Sequence, residues 1–148
     1  MGPVRGQRDA GAMSDDPTDF LRQTMPLCAT LGMRATRNDR GGVDLELDWA
    51  PSLCTSAGLL HGGALIALAD SAGGALAFAN LPEDANGTST IESKTNFLRG
   101  VRSGTVRALA RPLHVGGTTI VIETEVRDAD DRLVAKVTQT QAVLRPRT

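Results

Sequence analysis

Residues 59–78 read LLHGGALIALADSAGGALAF. The segment has no proline and is dominated by Ala and Leu, which predicts one long helix opened by His61-Gly62-Gly63. It is apolar nearly all round, so it has to be covered on more than one side. Its small residues (Ala64, Ala67, Ala69, Ala72, Gly73, Gly74, Ala75 and Ala77) permit close backbone approach, although each glycine costs about 1 kcal/mol of helix stability relative to Ala. The only charge is Asp70. A carboxylate buried without partners costs several kcal/mol, so Asp70 is expected to be paired, neutral or retained for chemistry. Helix capping does not explain it, because amides in mid-helix are already bonded.

The flanks change period. In GVDLELDWA, Val43, Leu45, Leu47 and Trp49 alternate with Asp44, Glu46 and Asp48, the pattern of a half-buried strand. MRATRND predicts a partner strand joined to it through Asp39-Arg40-Gly41-Gly42. Beyond the helix and a turn-like LPEDANG come four further strand patterns: TSTIESKTNFLR, GTVRALARPLHV, TTIVIETEVRD and LVAKVTQTQAVL. Their links GVRSG, GG and ADDR are short and turn-rich, which predicts that successive strands are antiparallel neighbours. Near the N-terminus, Asp16-Pro17-Thr18-Asp19 resembles a helix start, and FLRQTMPLCATLGM predicts a short helix interrupted or ended near Pro26. Residues 1–16 lack periodicity and are expected to form a disordered leader before a single domain at 17–148. The fold class is α+β: a curved antiparallel sheet of about six strands around one central helix. A second copy of the chain is expected to cover what the sheet leaves open.

Composition narrows the function. The 148 residues are 41% hydrophobic and 22% charged, with a net charge of −1. That balance gives no electrostatic case for nucleic acid or an anionic membrane as partner. The long apolar segment carries Asp70 and many small residues, a poor transmembrane pattern. The first residues lack an apolar signal core, and Cys28 and Cys54 have no close metal-type spacing. A cytoplasmic protein with two reduced thiols is the plain expectation. His61 and His114 together fall short of a metal site in ligand count and spacing.

The HGG followed by ALIALAD resembles the signature of hotdog-fold acyl-CoA thioesterases of the phenylacetyl-CoA and hydroxybenzoyl-CoA type. The similarity runs through NFLRGVRSGTVRALARPLHVGG into ETEVRDADDRLVAKVTQTQAVL, roughly residues 30–145. The resemblance implies a helix wrapped by an antiparallel sheet, dimers joined edge to edge and often paired into tetramers, and hydrolysis of acyl-CoA without a cofactor or metal. A non-catalytic acyl-CoA-binding or regulatory hotdog domain is the alternative, for which a neutral residue at position 70 would be the mark. A hotdog dehydratase ranks last, because no Asp-x-Asn-x-x-His element is present.

The candidate site follows from chemistry. Asp70 suits a nucleophile or general base toward a thioester, whose thiolate leaves with little acid help. Gly62 and Gly63, at the helix N-terminus, offer amides to developing negative charge. Gly63 and Asp70 are seven residues apart, about 10.5 Å along a helix, too far to meet on one carbonyl. A site shared by two antiparallel helices across a two-fold axis is therefore expected. His61 either fixes the turn or orients the thioester, and His114 reads as structural. Many relatives carry Asn or Gln where this chain has Thr55, so its hydroxyl is a shorter-reaching substrate candidate. Ser71 matches a position that contacts the acyl group in relatives and is equally consistent with a surface serine. Arg99 and Arg102 are candidates for the CoA phosphates, with Arg111, Arg145 and Arg147 as further options.

Overall fold

The computed structural model describes residues 15–147. Most of the expected leader, residues 1–14, lies outside the described residues. Helix α1 (Pro17–Thr24) begins where Asp16 accepts the Thr18 N–H at 2.8 Å and Pro17 occupies the first turn. Pro26 cannot donate to a preceding turn, so the chain restarts as α2 (Pro26–Leu31), which ends at left-handed Gly32 (φ 77°).

Strands β1 (Arg34–Asp39) and β2 (Gly42–Asp48) form the expected hairpin. Two 3₁₀ turns at Pro51–Leu53 and Ser56–Gly58 lead into the long helix, α3 (Gly62–Ala79). Then come β3 (Gly87–Phe97), β4 (Thr105–Val115), β5 (Thr119–Arg127) and β6 (Leu133–Leu144). The six strands form one antiparallel sheet in the order β1-β2-β4-β5-β6-β3, and α3 contacts all six. Leu65, Leu68, Ala72 and Leu76 of α3 are buried against sheet residues such as Leu45, Val106, Ile120, Ile122 and Val137.

One expected adjacency fails. β3 does not pair with β4; it pairs with β6 at the far edge. The link 98–104 is not a hairpin turn. Seven residues can span about 23 Å, more than the roughly 14 Å of three strand spacings. Its start is pinned to β6 by Leu98 and Arg99 amides donating to Val134 O, and its middle by the Leu60 amide donating to Val101 O at 2.8 Å. Buried Val101 then fixes the crossing under the helix entrance.

The sheet leaves one face of the helix open. Gly63, Ile66, Asp70 and Phe78 are exposed and Gly74 half-buried, a stripe at three- and four-residue spacing. By length and composition alone α3 could cross a membrane, but here it is the rod the sheet wraps. Beside the stripe runs β3, a sheet edge of 11 residues with Ile91 and Phe97 exposed.

Candidate active site

The loop before α3 is locally determined. Ala57 (φ 61°) and Gly58 (φ 69°) turn the chain through left-handed backbone, and the turn is held by Trp49 Nε1 donating to Gly58 O and Arg102 donating to Ala57 O at 2.7 Å. The Thr55 amide donates to Leu59 O, closing the loop so that Leu60 enters the core and His61 begins the helix.

His61 is the N-cap. Its Nδ1 accepts the Gly63 N–H at 2.7 Å, so the neutral ring carries its proton on Nε2. The structural and functional readings of His61 are thus compatible. Of the two glycine amides, Gly63 is engaged by this cap. The Gly62 N–H has no partner among the described residues and points out of the first turn. A side chain at Gly62 would meet the Phe97 ring, its Cβ 3.2 Å from Cζ, so the approach to this amide is narrow and flanked by an aromatic face.

Asp70 is exposed rather than enclosed. Its Oδ1 receives two long hydrogen bonds, from Thr90 Oγ1 on β3 (3.4 Å) and from Gln139 Nε2 on β6 (3.5 Å). Gln141, also on β6, donates to Thr90 Oγ1 at 2.8 Å. Gln139 and Gln141 are 1% and 2% exposed. None of these three partners is among the candidates read from the sequence, although the signal is in β6. Period-two alternation in LVAKVTQTQAVL places Gln139 and Gln141 on the same face as Val137, where a core strand has apolar residues.

The other candidates separate. Ser71 is 7% exposed and faces the core, in hydrogen-bond contact with the Cys28 thiol, which burial pushes above the usual range. The next residue on a helix turns 100° away from Asp70, so Ser71 is neither a surface serine nor on the carboxylate's face. Thr55 is exposed on the loop. Arg99 is exposed at the end of β3, its guanidinium without a partner among the described residues. Arg102, besides holding the turn, lines a cavity of about 560 Å³ with Ser103, Asp128, Asp130 and Arg132. Arg111 and Arg145 are committed to Asp44 and Asp84. A second cavity, of about 360 Å³, opens one turn beyond Asp70 and is lined by Gly74, Ala75, Phe78, Phe20 and Met25.

A long helix wrapped by a six-stranded antiparallel sheet is the hotdog architecture, which here carries a carboxylate on the helix face and glycines at its tip. The family model described as the thioesterase superfamily matches residues 57–135, and the chain belongs to that superfamily. Rv1847, an esterase candidate of Mycobacterium tuberculosis, is 33% identical over 125 residues, 83% of this chain and 89% of that protein. The 1,4-dihydroxy-2-naphthoyl-CoA hydrolase of Escherichia coli is 36% identical over 87 residues, 59% of this chain and 63% of that enzyme. Among solved structures, a mutant form of the thioesterase PA1618 of Pseudomonas aeruginosa superposes with a TM-score of 0.81 at 27% identity, covering 90% of this chain and 97% of that one. Thioester hydrolysis is the reaction class of that superfamily.

Proposed function

We propose that the chain hydrolyses acyl-CoA thioesters to free acid and CoA, at two sites per homodimer that each join Asp70 of one chain to the Gly62 amide of the other. The observation that carries this is the position of Asp70 on the uncovered helix face. Gly62 and Asp70 lie about 12 Å apart along one helix, so no single carbonyl reaches both within one chain. Antiparallel pairing of two such faces, with the exposed β3 edges side by side, brings each carboxylate to the other helix tip.

The Gly62 amide polarises the thioester carbonyl and then holds the developing oxyanion, a donor worth about 3 kcal/mol of barrier by analogy with measured oxyanion holes. Asp70 either adds to the acyl carbon, giving an anhydride that water opens, or takes a proton from the water that adds. In both routes the C–S bond breaks and the CoA thiolate departs with the electron pair. The His61 Nε2–H, on an exposed ring at the helix N-terminus, is the donor offered to the substrate. Arg99, exposed and with its guanidinium unpaired among the described residues, is the first choice for the CoA phosphates, with Arg102 behind it. Thr55, exposed on the loop before the helix, is a further substrate contact. The 360 Å³ cavity beyond Asp70 takes the acyl group; its apolar lining suits aryl or medium-chain acids. A dimer is the least assembly this mechanism needs, and pairing into tetramers is compatible with it.

The test is thiol release from benzoyl-CoA, phenylacetyl-CoA and hexanoyl-CoA. Asp70→Asn is expected to lower kcat by about 10²- to 10⁴-fold. Mixed dimers of Asp70→Asn and Gly62→Val chains regain one intact site, whereas each parent is inactive. Undiminished turnover by Asp70→Asn, or no recovery in verified mixed dimers, refutes the shared site. CoA binding with no turnover of any acyl-CoA favours the non-catalytic alternative.

A further inference from the structure

The two hydrogen bonds to Asp70 converge on the same oxygen. Thr90 Oγ1 and Gln139 Nε2 both approach Oδ1, while Oδ2 has no partner among the described residues. The donors come from the inner face of the sheet. Thr90 and Gln141 are direct cross-strand partners, and a bulge at Ile91 shifts the register so that Ser93, not Glu92, lies opposite Gln139. The bulge lets Thr90 face the helix while the edge continues. Gln141 then orients the Thr90 hydroxyl at 2.8 Å.

Gln139 occupies a position where a leucine would pack with less penalty. It is 1% exposed, and its Oε1 is buried without a hydrogen-bond partner among the described residues. Such a group lowers stability, so its presence calls for another reason. The helix makes room for it. A Cβ at Gly73 would stand 2.2 Å from Gln139 Oε1 and 2.8 Å from Nε2, so glycine is needed there for the amide to lie against the helix and reach Asp70. A buried amide with one end unsatisfied, a helix position left bare to admit it, and a donor directed at the one helix carboxylate point to a common purpose.

We propose that Gln139 is a positioning residue for Asp70, and that Thr90, oriented by Gln141, shares the task. The two donors anchor Oδ1 and fix the carboxylate plane, leaving Oδ2 as the atom that meets the acyl carbon or the water. This rests on Asp70 being the catalytic carboxylate. The bonds are long in the free enzyme and tighten when substrate closes the site, as catalytic hydrogen bonds commonly do.

The experiment compares Gln139→Leu and Gln139→Met, both close in volume, with Thr90→Val, using benzoyl-CoA and hexanoyl-CoA. Each Gln139 variant is expected to lower kcat about tenfold or more, with KM within about twofold, because a hydrogen bond to a charged group is lost where only the reacting carboxylate feels it. Its melting temperature stays equal or rises by about 2–4 °C as the unsatisfied oxygen disappears. In the Asp70→Asn background, Gln139→Leu leaves the residual rate unchanged. A rate as high as wild type in both Gln139 variants while Asp70→Asn is inactive overturns the positioning role alone. An equal proportional loss with and without Asp70, or a lower melting temperature in step with activity, assigns Gln139 to the scaffold and also overturns it. Full activity of Asp70→Asn removes the catalytic carboxylate itself, a failure distinct from the other two.

Discussion

Gly73 and Gln139 are matched surfaces, and the match predicts a change of sign. In Gly73→Ala the new methyl carbon would stand 2.2 Å from Gln139 Oε1 and 2.4 Å from its Cδ. Gln139 is 1% exposed, so the amide has no solvent to retreat into. Overpacking of this kind costs about 1–3 kcal/mol. Replacing a mid-helix glycine by alanine returns about 1 kcal/mol of helix propensity. The net loss is about 1 kcal/mol, a fall of about 3 °C in melting temperature for a chain of this size. In a Gln139→Ala background the clash is gone and only the propensity gain remains, so the same substitution raises the melting temperature by about 3 °C. At Gly74 a Cβ meets nothing within 4 Å, and Gly74→Ala is stabilising without any second change. The assay is thermal unfolding by circular dichroism at one fixed protein concentration, since assembly makes the midpoint concentration-dependent. A shift of the same sign at Gly73 in both backgrounds refutes the argument.

Two further outcomes are expected. Gly74 lines the 360 Å³ cavity with open space above it, so Gly74→Leu fills the acyl pocket. Hexanoyl-CoA turnover then falls at least tenfold relative to acetyl-CoA, and an unchanged ratio places the acyl group elsewhere. The Arg34 guanidinium beside Asp48, helped by the Thr105 hydroxyl, holds the Asp48 carboxyl down at about 2 from 3.8. A carboxyl lowered in the folded chain stabilises it above the ordinary carboxylate range, and that contribution disappears as the pH falls from about 4 toward 2. Melting temperature measured across that interval should fall less steeply in Arg34→Gln than in the parent chain, and parallel slopes would count against the pairing.

Most of the architecture is legible in the sequence because it is written in period. Alternation in GVDLELDWA and in the four later strand patterns locates the strands, and the unbroken Ala-Leu-Gly run locates the helix. The strand order is less legible. GVRSG has the composition of a hairpin turn, but turn chemistry does not say which neighbour a strand will meet once a link can span three strands. At the site, the glycine pair and the carboxylate are visible as residues. The division of labour between the glycine amides is not, because it depends on whether the His61 ring folds back onto Gly63. The exposure of Asp70 is hidden by the oily composition around it. Composition reports what surrounds a residue along the chain, whereas exposure depends on which face the sheet leaves open.

The chain's order of residues was enough to establish an antiparallel sheet around a single helix, a lone acid nine residues after a histidine, and the distance that keeps that acid from its own helix tip. Those are properties of local periodicity and fixed helical rise, which need no knowledge of distant contacts. Folding in three dimensions decided that β3 closes against β6, that Gln139 and Thr90 reach Asp70 from two strands, and that one helix face stays uncovered. These depend on residues 20 to 69 positions apart coming within hydrogen-bond range. Only the packing of the whole sheet against the helix brings them together.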